Sequence, residues 1–143
     1  MNLTELDPEF VRWEDKVEKC EKVAPGFEIT TEDGYEKWVA AGRPFVEEMC
    51  IRTYLPSVPT LAEAQGILIN CPKCQNSQAH RISIAFAGRG VLDHQATVSS
   101  DGRPTRWTVT GTGMDDLTLT PSIDCTSRNP NCWHGFITAG DIT

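Results

Sequence analysis

The sequence predicts an α+β chain: an amino-terminal helical segment over residues 1–66, then a small, mainly antiparallel β domain over residues 67–143 whose two ends are stapled by a cysteine-rich site. Three observations predict it. Apolar residues recur at three- and four-residue spacing before position 50. From Ile67 onward the pattern changes to short alternating runs broken by Gly and Pro. The pair Cys71-Pro-Lys-Cys74 opens that β region, and Cys125, Cys132 and His134 stand near its end.

The helical expectation starts at Asp7, a capping residue followed by Pro8 in the first turn, with Phe10, Trp13, Val17 and Cys20 along one stripe as far as Val23. Pro25-Gly26 ends this element, and Phe27 to Thr30 reads as a short extended link. A second helix is predicted around Tyr35, Trp38 and Val39, ending near Gly42. A third begins at Pro44, with Phe45, Val46, Met49 and Cys50 as its apolar face. Thr60-Leu-Ala-Glu63 has capping-box spacing for one short turn before Gly66.

The β elements follow from alternation and from β-branched and aromatic content. Ile67 to Asn70, Arg81 to Phe86, Arg106 to Thr110 and Leu117 to Thr120 read as strands. Gly88, Gly90, Asp101-Gly102, Gly111 to Gly113 and Pro121 punctuate them. Trp133 to Thr138 and Asp141 to Thr143 form a closing hairpin turned by Ala139-Gly140.

The charge is lopsided. Residues 1–66 hold fourteen Asp or Glu against seven Lys or Arg, whereas residues 67–143 hold six of each, giving a net charge of −7. An acidic chain without a basic stripe repels phosphate backbones, which argues against nucleic acid and leaves a protein or a small molecule as partner. No run approaches the roughly 18 apolar residues that cross a bilayer, and Met1 to Asp7 lacks the blocks of a signal peptide, so no membrane role and a cytoplasmic location are expected. In a reducing compartment, six cysteines are better metal ligands than disulfide partners.

A structural zinc-type ion takes four ligands, so the Cys71 and Cys74 knuckle, whose Pro72 presets the turn, needs a second pair from elsewhere in the chain. Cys132 and His134 would share a face of any strand through alternation and complete the set Cys71, Cys74, Cys132 and His134 around Zn2+. Cys125 is the alternative ligand, reaching in from the loop containing Asn129-Pro-Asn131. A thioredoxin-like dithiol would place the motif at a helix start, whereas Gln75-Asn-Ser-Gln78 reads as a loop. Cys20 and Cys50 read as buried thiols on apolar helix faces.

His80 and His94 flank the first long β run and are open as ligand or base, with solvent exposure as the plainer reading. Asp115-Asp116 reads as a pair of turn formers, and Arg103 and Arg106 as a solvated strand face. Were zinc catalytic, with three protein ligands and a water, Asp124 or His94 could serve as its base. The spacing itself assigns no catalytic residue.

The segments Cys71-Pro-Lys-Cys74, Arg106-Trp-Thr-Val-Thr-Gly111, Leu117-Thr-Leu-Thr-Pro-Ser-Ile123 and Cys132-Trp-His-Gly-Phe-Ile-Thr-Ala-Gly140 resemble a family of small phage and prophage proteins, a domain of unknown function at times mislabelled ammonia monooxygenase. Related domains occur in bacterial ubiquitin-like conjugation clusters with a proposed peptidase role. The resemblance implies a zinc-stabilised β module and a hydrolase, and it marks Ser122, Cys132 and His134 as reactive groups.

Together these readings lead to a phage-associated zinc-binding protein that acts through protein–protein interaction, with the zinc structural. The alternative is a zinc-dependent, peptidase-like hydrolase. The expected partner is a protein, virion or phage-encoded, met in the host cytoplasm or in the virion.

Overall fold

The computed structural model describes residues 1–74, 80–126 and 130–143. The loop read at Gln75 to Gln78, and Asn129 in the later loop, lie outside the described residues. The chain divides into two units: Met1–Glu14 with Tyr54–Thr143, and Asp15–Thr53.

In the larger unit, β1 (Glu9–Val11), β4 (Gly66–Asn70) and β5 (Arg81–Ala85) form an antiparallel sheet in the order β1-β4-β5. A second sheet runs β6 (Thr108–Thr110), β7 (Thr118–Asp124), β8 (His134–Thr138) and β9 (Asp141–Ile142), each strand antiparallel to the next. Alternation explains the packing. On β8 Gly135 and Ile137 are buried while His134, Phe136 and Thr138 are exposed, and on β4 Ile67 and Ile69 are fully buried. These residues join Leu3, Leu6, Ile84, Phe86, Leu119 and Ile123 in one core, where each buried Leu or Ile stabilises by about 1.5–3 kcal/mol. The turn between β8 and β9 is made by Ala139 and Gly140, both at positive φ.

In the smaller unit, β2 (Glu14–Val23) pairs with β3 (Phe45–Tyr54), and α1 (Glu32–Ala40) lies between them in sequence. Thr31 caps α1, its hydroxyl accepting from the Gly34 amide at 3.1 Å. Trp38 is buried, donates to the Pro44 carbonyl at 2.9 Å and meets Phe45 edge-on. A disulfide links Cys20 to Cys50 across the two strands, with a Cα–Cα separation of 5.9 Å. Asp15 accepts from the Thr53 hydroxyl at 2.8 Å and Lys22 meets Glu48 at 3.1 Å, fixing the same pairing.

The fold class therefore differs from the expected α+β arrangement. Among the described residues the chain is mostly β, with nine strands and one α-helix, and residues 1–66 hold three strands with that one helix instead of a helical layer. The expected first helix is β1 and β2, and the expected third helix is β3. Local spacing gave way to long-range pairing. Phe10 sits opposite Ile67 in the sheet, Val17 is 67% exposed, and so the stripe Phe10-Trp13-Val17-Cys20 never faces one core. Likewise Phe45 and Met49 stay exposed on β3 while Cys50 is bound to Cys20. The middle helix forms as α1, and Leu61–Glu63 makes a single 3-10 turn.

Candidate functional site

Cys71 leaves β4 and Cys74 follows in a tight turn, the Cys74 amide donating to the Cys71 carbonyl at 3.2 Å. Across the hairpin the Cys71 amide donates to the His80 carbonyl at 2.9 Å, which holds the residue before β5 opposite the residue after β4. Cys132 comes in from the bend before β8. The Cys132 sulfur stands 3.7 Å from the Cys74 sulfur and 3.5 Å from His80 Nδ1. The ligand atoms of Cys71, Cys74, His80 and Cys132 all lie within 4.8 Å of one another.

That geometry can be tested against a metal. A tetrahedral zinc with Zn–S of about 2.3 Å and Zn–N of about 2.0–2.1 Å has S···S edges of about 3.8 Å and S···N edges of about 3.5 Å. The two edges of 3.7 and 3.5 Å match these, and the remaining separations stay within 4.8 Å, so three sulfurs and one imidazole nitrogen form a group that could hold one metal ion. Four protein ligands also close the coordination sphere, the arrangement of a structural site.

The charges point the same way. Burial pushes the Cys71 thiol up, but amide donors from Trp133, Cys74 and Lys73 and the Cys74 thiol outweigh it and hold Cys71 below its ordinary value. Cys74 is pushed up to about 11, first by its hydrogen bond with Cys132, then by burial and by Cys71. Packed thiolates repel one another, and a divalent cation relieves that repulsion where protons otherwise must. Cys125 stands outside the four-atom group. Burial, then the charges of Cys71 and Cys132, push its thiol up to about 12, and its amide donates to the Trp133 carbonyl at 2.9 Å.

His134 faces a different partner. Its Nε2 lies 3.2 Å from the Ser122 hydroxyl, a Ser–His pair across β7 and β8. The β7–β8 register shifts between Leu119 and Ile123, the stretch that holds Pro121 and Ser122. Asp124 is the cross-strand partner of His134. The Thr126 hydroxyl and then the Thr126 amide hold the Asp124 carboxyl below the usual carboxylate range, and a positive charge on His134 adds to this. The Trp107 indole donates to the Ser122 carbonyl at 3.2 Å and so fixes the backbone that carries the hydroxyl. Ser122 and Asp124 line a cavity of about 470 Å³ walled by Arg81 to Ser83 and by the Val98 to Pro104 bridge.

Of the residues expected around the metal, the fold brings Cys71, Cys74 and Cys132 together, while His134 and Cys125 stand apart from that group and His80 stands within it. The alternation argument for Cys132 and His134 needs a continuous strand, but β8 begins only at His134, and Cys132 and Trp133 are both buried before it. A signal for His80 was present in the sequence. Cys71 directly follows one strand and His80 directly precedes the next, and an antiparallel hairpin sets such residues face to face. Ser122 was marked by resemblance and not by spacing, because the pairing of β7 with β8 makes the dyad.

These features define a β protein with a Ser–His pair whose serine lines a cleft, and with a Cys/His cluster whose His80 lines the same cleft. The chain belongs to the BubE family, whose model, described as bacterial ubiquitination-like system serine protease, matches residues 52–143. The match covers all four residues of the cluster together with Ser122, Asp124 and His134. No curated protein and no solved structure matches the chain.

Proposed function

We propose that this chain is a serine peptidase of a bacterial ubiquitin-like conjugation system, with Ser122 as nucleophile, His134 as general base and Asp124 as the carboxylate that stabilises the imidazolium. The 3.2 Å contact between Ser122 Oγ and His134 Nε2, within the family match, carries the reading. Ser122 attacks the substrate carbonyl and His134 Nε2 takes its proton, then returns it to the departing amine. Water admitted from the cleft attacks the acyl-Ser122 ester, and the same imidazole relays that proton. Zinc, held by Cys71, Cys74, His80 and Cys132, is assigned a structural role, pinning the β4–β5 turn to the segment that leads into β8.

A fluorophosphonate probe tests this without knowledge of the substrate. Intact-mass analysis should show one adduct on the wild-type chain, mapping to Ser122, and none on Ser122→Ala. His134→Ala should slow labelling by about 10³-fold or more, as loss of the base does in serine hydrolases. Labelling that persists in Ser122→Ala overturns the assignment. A zinc-dependent hydrolase would instead lose activity as soon as the ion left and regain it with a substituted metal while Ser122→Ala stayed active.

Contact with a protein partner has its own support. Val17, Met49 and Ile51 of the β2–β3 unit are 67%, 59% and 62% exposed, apolar surface that contact with a partner would cover.

A further inference from the structure

We infer that the open edge of β5, at Arg81 and Ser83, is the substrate-binding strand of the cleft, and that it captures an extended peptide by backbone hydrogen bonding beside Ser122. The inference rests on the peptidase reading and adds how the substrate is held. Its basis is the parity of the β4–β5 ladder. The Phe86 amide donates to the Gln65 carbonyl and the Cys71 amide to the His80 carbonyl, so the peptide groups of His80, Ile82, Ile84 and Phe86 face β4. Those of Arg81, Ser83 and Ala85 face the other way. The Trp107 amide confirms it by donating to the Ala85 carbonyl, and the Trp107 carbonyl accepts from Ala87.

Trp107 thus fills one end of this edge as a short parallel partner of Phe86, and the edge continues from there along Ser83 and Arg81. Among the described residues no backbone hydrogen bond occupies the outward groups of Ser83 and Arg81, and both residues line the 470 Å³ cavity that contains Ser122. Trp107 joins the two, since its indole holds the Ser122 carbonyl. A peptide laid in line with the Trp107 segment therefore has a strand to pair with and a nucleophile within the same cleft.

The cleft's charges favour recognition through the backbone. The Arg81 guanidinium is committed to Asn70 at 2.7 Å and to the Asp7 carbonyl at 3.0 Å, and Arg106 to the Val91 carbonyl and Asp93, each at 2.7 Å. The side chains of Thr97 and Thr105 bond each other at 2.8 Å. With these groups occupied, the outward amide and carbonyl groups of Arg81 and Ser83 offer a peptide donors and acceptors in the mode of strand addition.

The test uses the full chain as Ser122→Ala, metal-loaded, with an acetylated and amidated pentapeptide of alternating alanine and threonine, read by amide hydrogen exchange. The expected result is new protection of the Arg81 and Ser83 amides, with Ile82 and Ile84 unchanged because β4 already holds them. A peptide N-methylated on its pairing edge should lose that protection. Absence of protection at Arg81 and Ser83 with the peptide at its solubility limit overturns the proposal. Protection there in a chain whose Ser122 ignores fluorophosphonate upholds the binding edge and removes the peptidase reading instead. In the active chain, Ser83→Pro deletes an outward amide without taking a bond from β4, a position where an edge strand accepts proline, and should lower kcat/KM by about three- to tenfold. An unchanged kcat/KM in Ser83→Pro would count against the edge.

Discussion

Replacing His80 by alanine separates the two histidines most sharply. If four ligands share the roughly 10–16 kcal/mol by which structural zinc binds a small domain, each is worth about 3–4 kcal/mol, so losing one weakens zinc about 10²–10³-fold. His80 Nδ1 stands 3.5 Å from the Cys132 sulfur, on the predicted edge of the tetrahedron, whereas His134 is committed to Ser122 at 3.2 Å. Competition against a chromophoric zinc chelator at neutral pH should therefore show that large loss for His80→Ala and wild-type affinity for His134→Ala. At equal free zinc, the same factor removes about 2.7–4.1 kcal/mol of linked stability, visible as a lower melting temperature in His80→Ala alone. Fluorophosphonate labelling should show the reverse pattern, intact in metal-loaded His80→Ala and slowed in His134→Ala. Retained affinity in His80→Ala, or lost affinity in His134→Ala, would refute the ligand assignment.

Two further outcomes follow from the packing and the turns. Gly135 follows His134, and a Cβ there would lie 2.0 Å from the Thr143 carbonyl oxygen and 2.6 Å from the Trp133 indole nitrogen. Gly135→Ala should cost about 1–3 kcal/mol by overpacking, read as a drop in melting temperature, and an unchanged value would refute the close packing. Asp116 accepts from the Thr112 amide, then the Gly113 amide and the Thr112 hydroxyl, which hold its carboxyl below the ordinary value. A depressed folded-state value means that this stabilisation is present above about pH 4 and is lost as pH falls through the folded value. Thermal melts of Asp116→Asn should accordingly be lower than wild type at neutral pH and converge with it in acid; a gap that stays constant to low pH would sink the argument.

The β half was legible because its signals are local. Alternation, Gly and Pro punctuation and the Ala139-Gly140 turn locate β4, β5, β8 and β9 within a residue or two. The first half was not, because Glu- and Lys-rich stretches such as Glu14 to Lys22 carry helix propensity, and what makes them strands is a partner far along the chain. Cys20 shows this well: read locally it is an apolar helix position, and only the pairing of β2 with β3 sets it against Cys50. The Cys/His cluster was half legible for a related reason. Cys71 and Cys74 announce themselves by spacing, but the choice between His80 and His134 depends on which hairpin closes around the sulfurs.

Placement of the centre and the dyad on adjoining segments joins their fates. Cys132 is two residues before His134, and Cys71 accepts the amide hydrogen bond of the intervening Trp133, so the segment that completes the cluster also starts the strand that carries His134. On the opposite wall, His80 contributes its imidazole to the cluster and lines the cavity next to Arg81, at the head of the edge assigned to substrate. An ion bound there would therefore touch no reacting atom, yet would fix both the base and one wall of the cleft. Metal loss in such an arrangement should loosen the dyad and the substrate edge together, with labelling of Ser122 falling in step with unfolding of the cluster and never ahead of it.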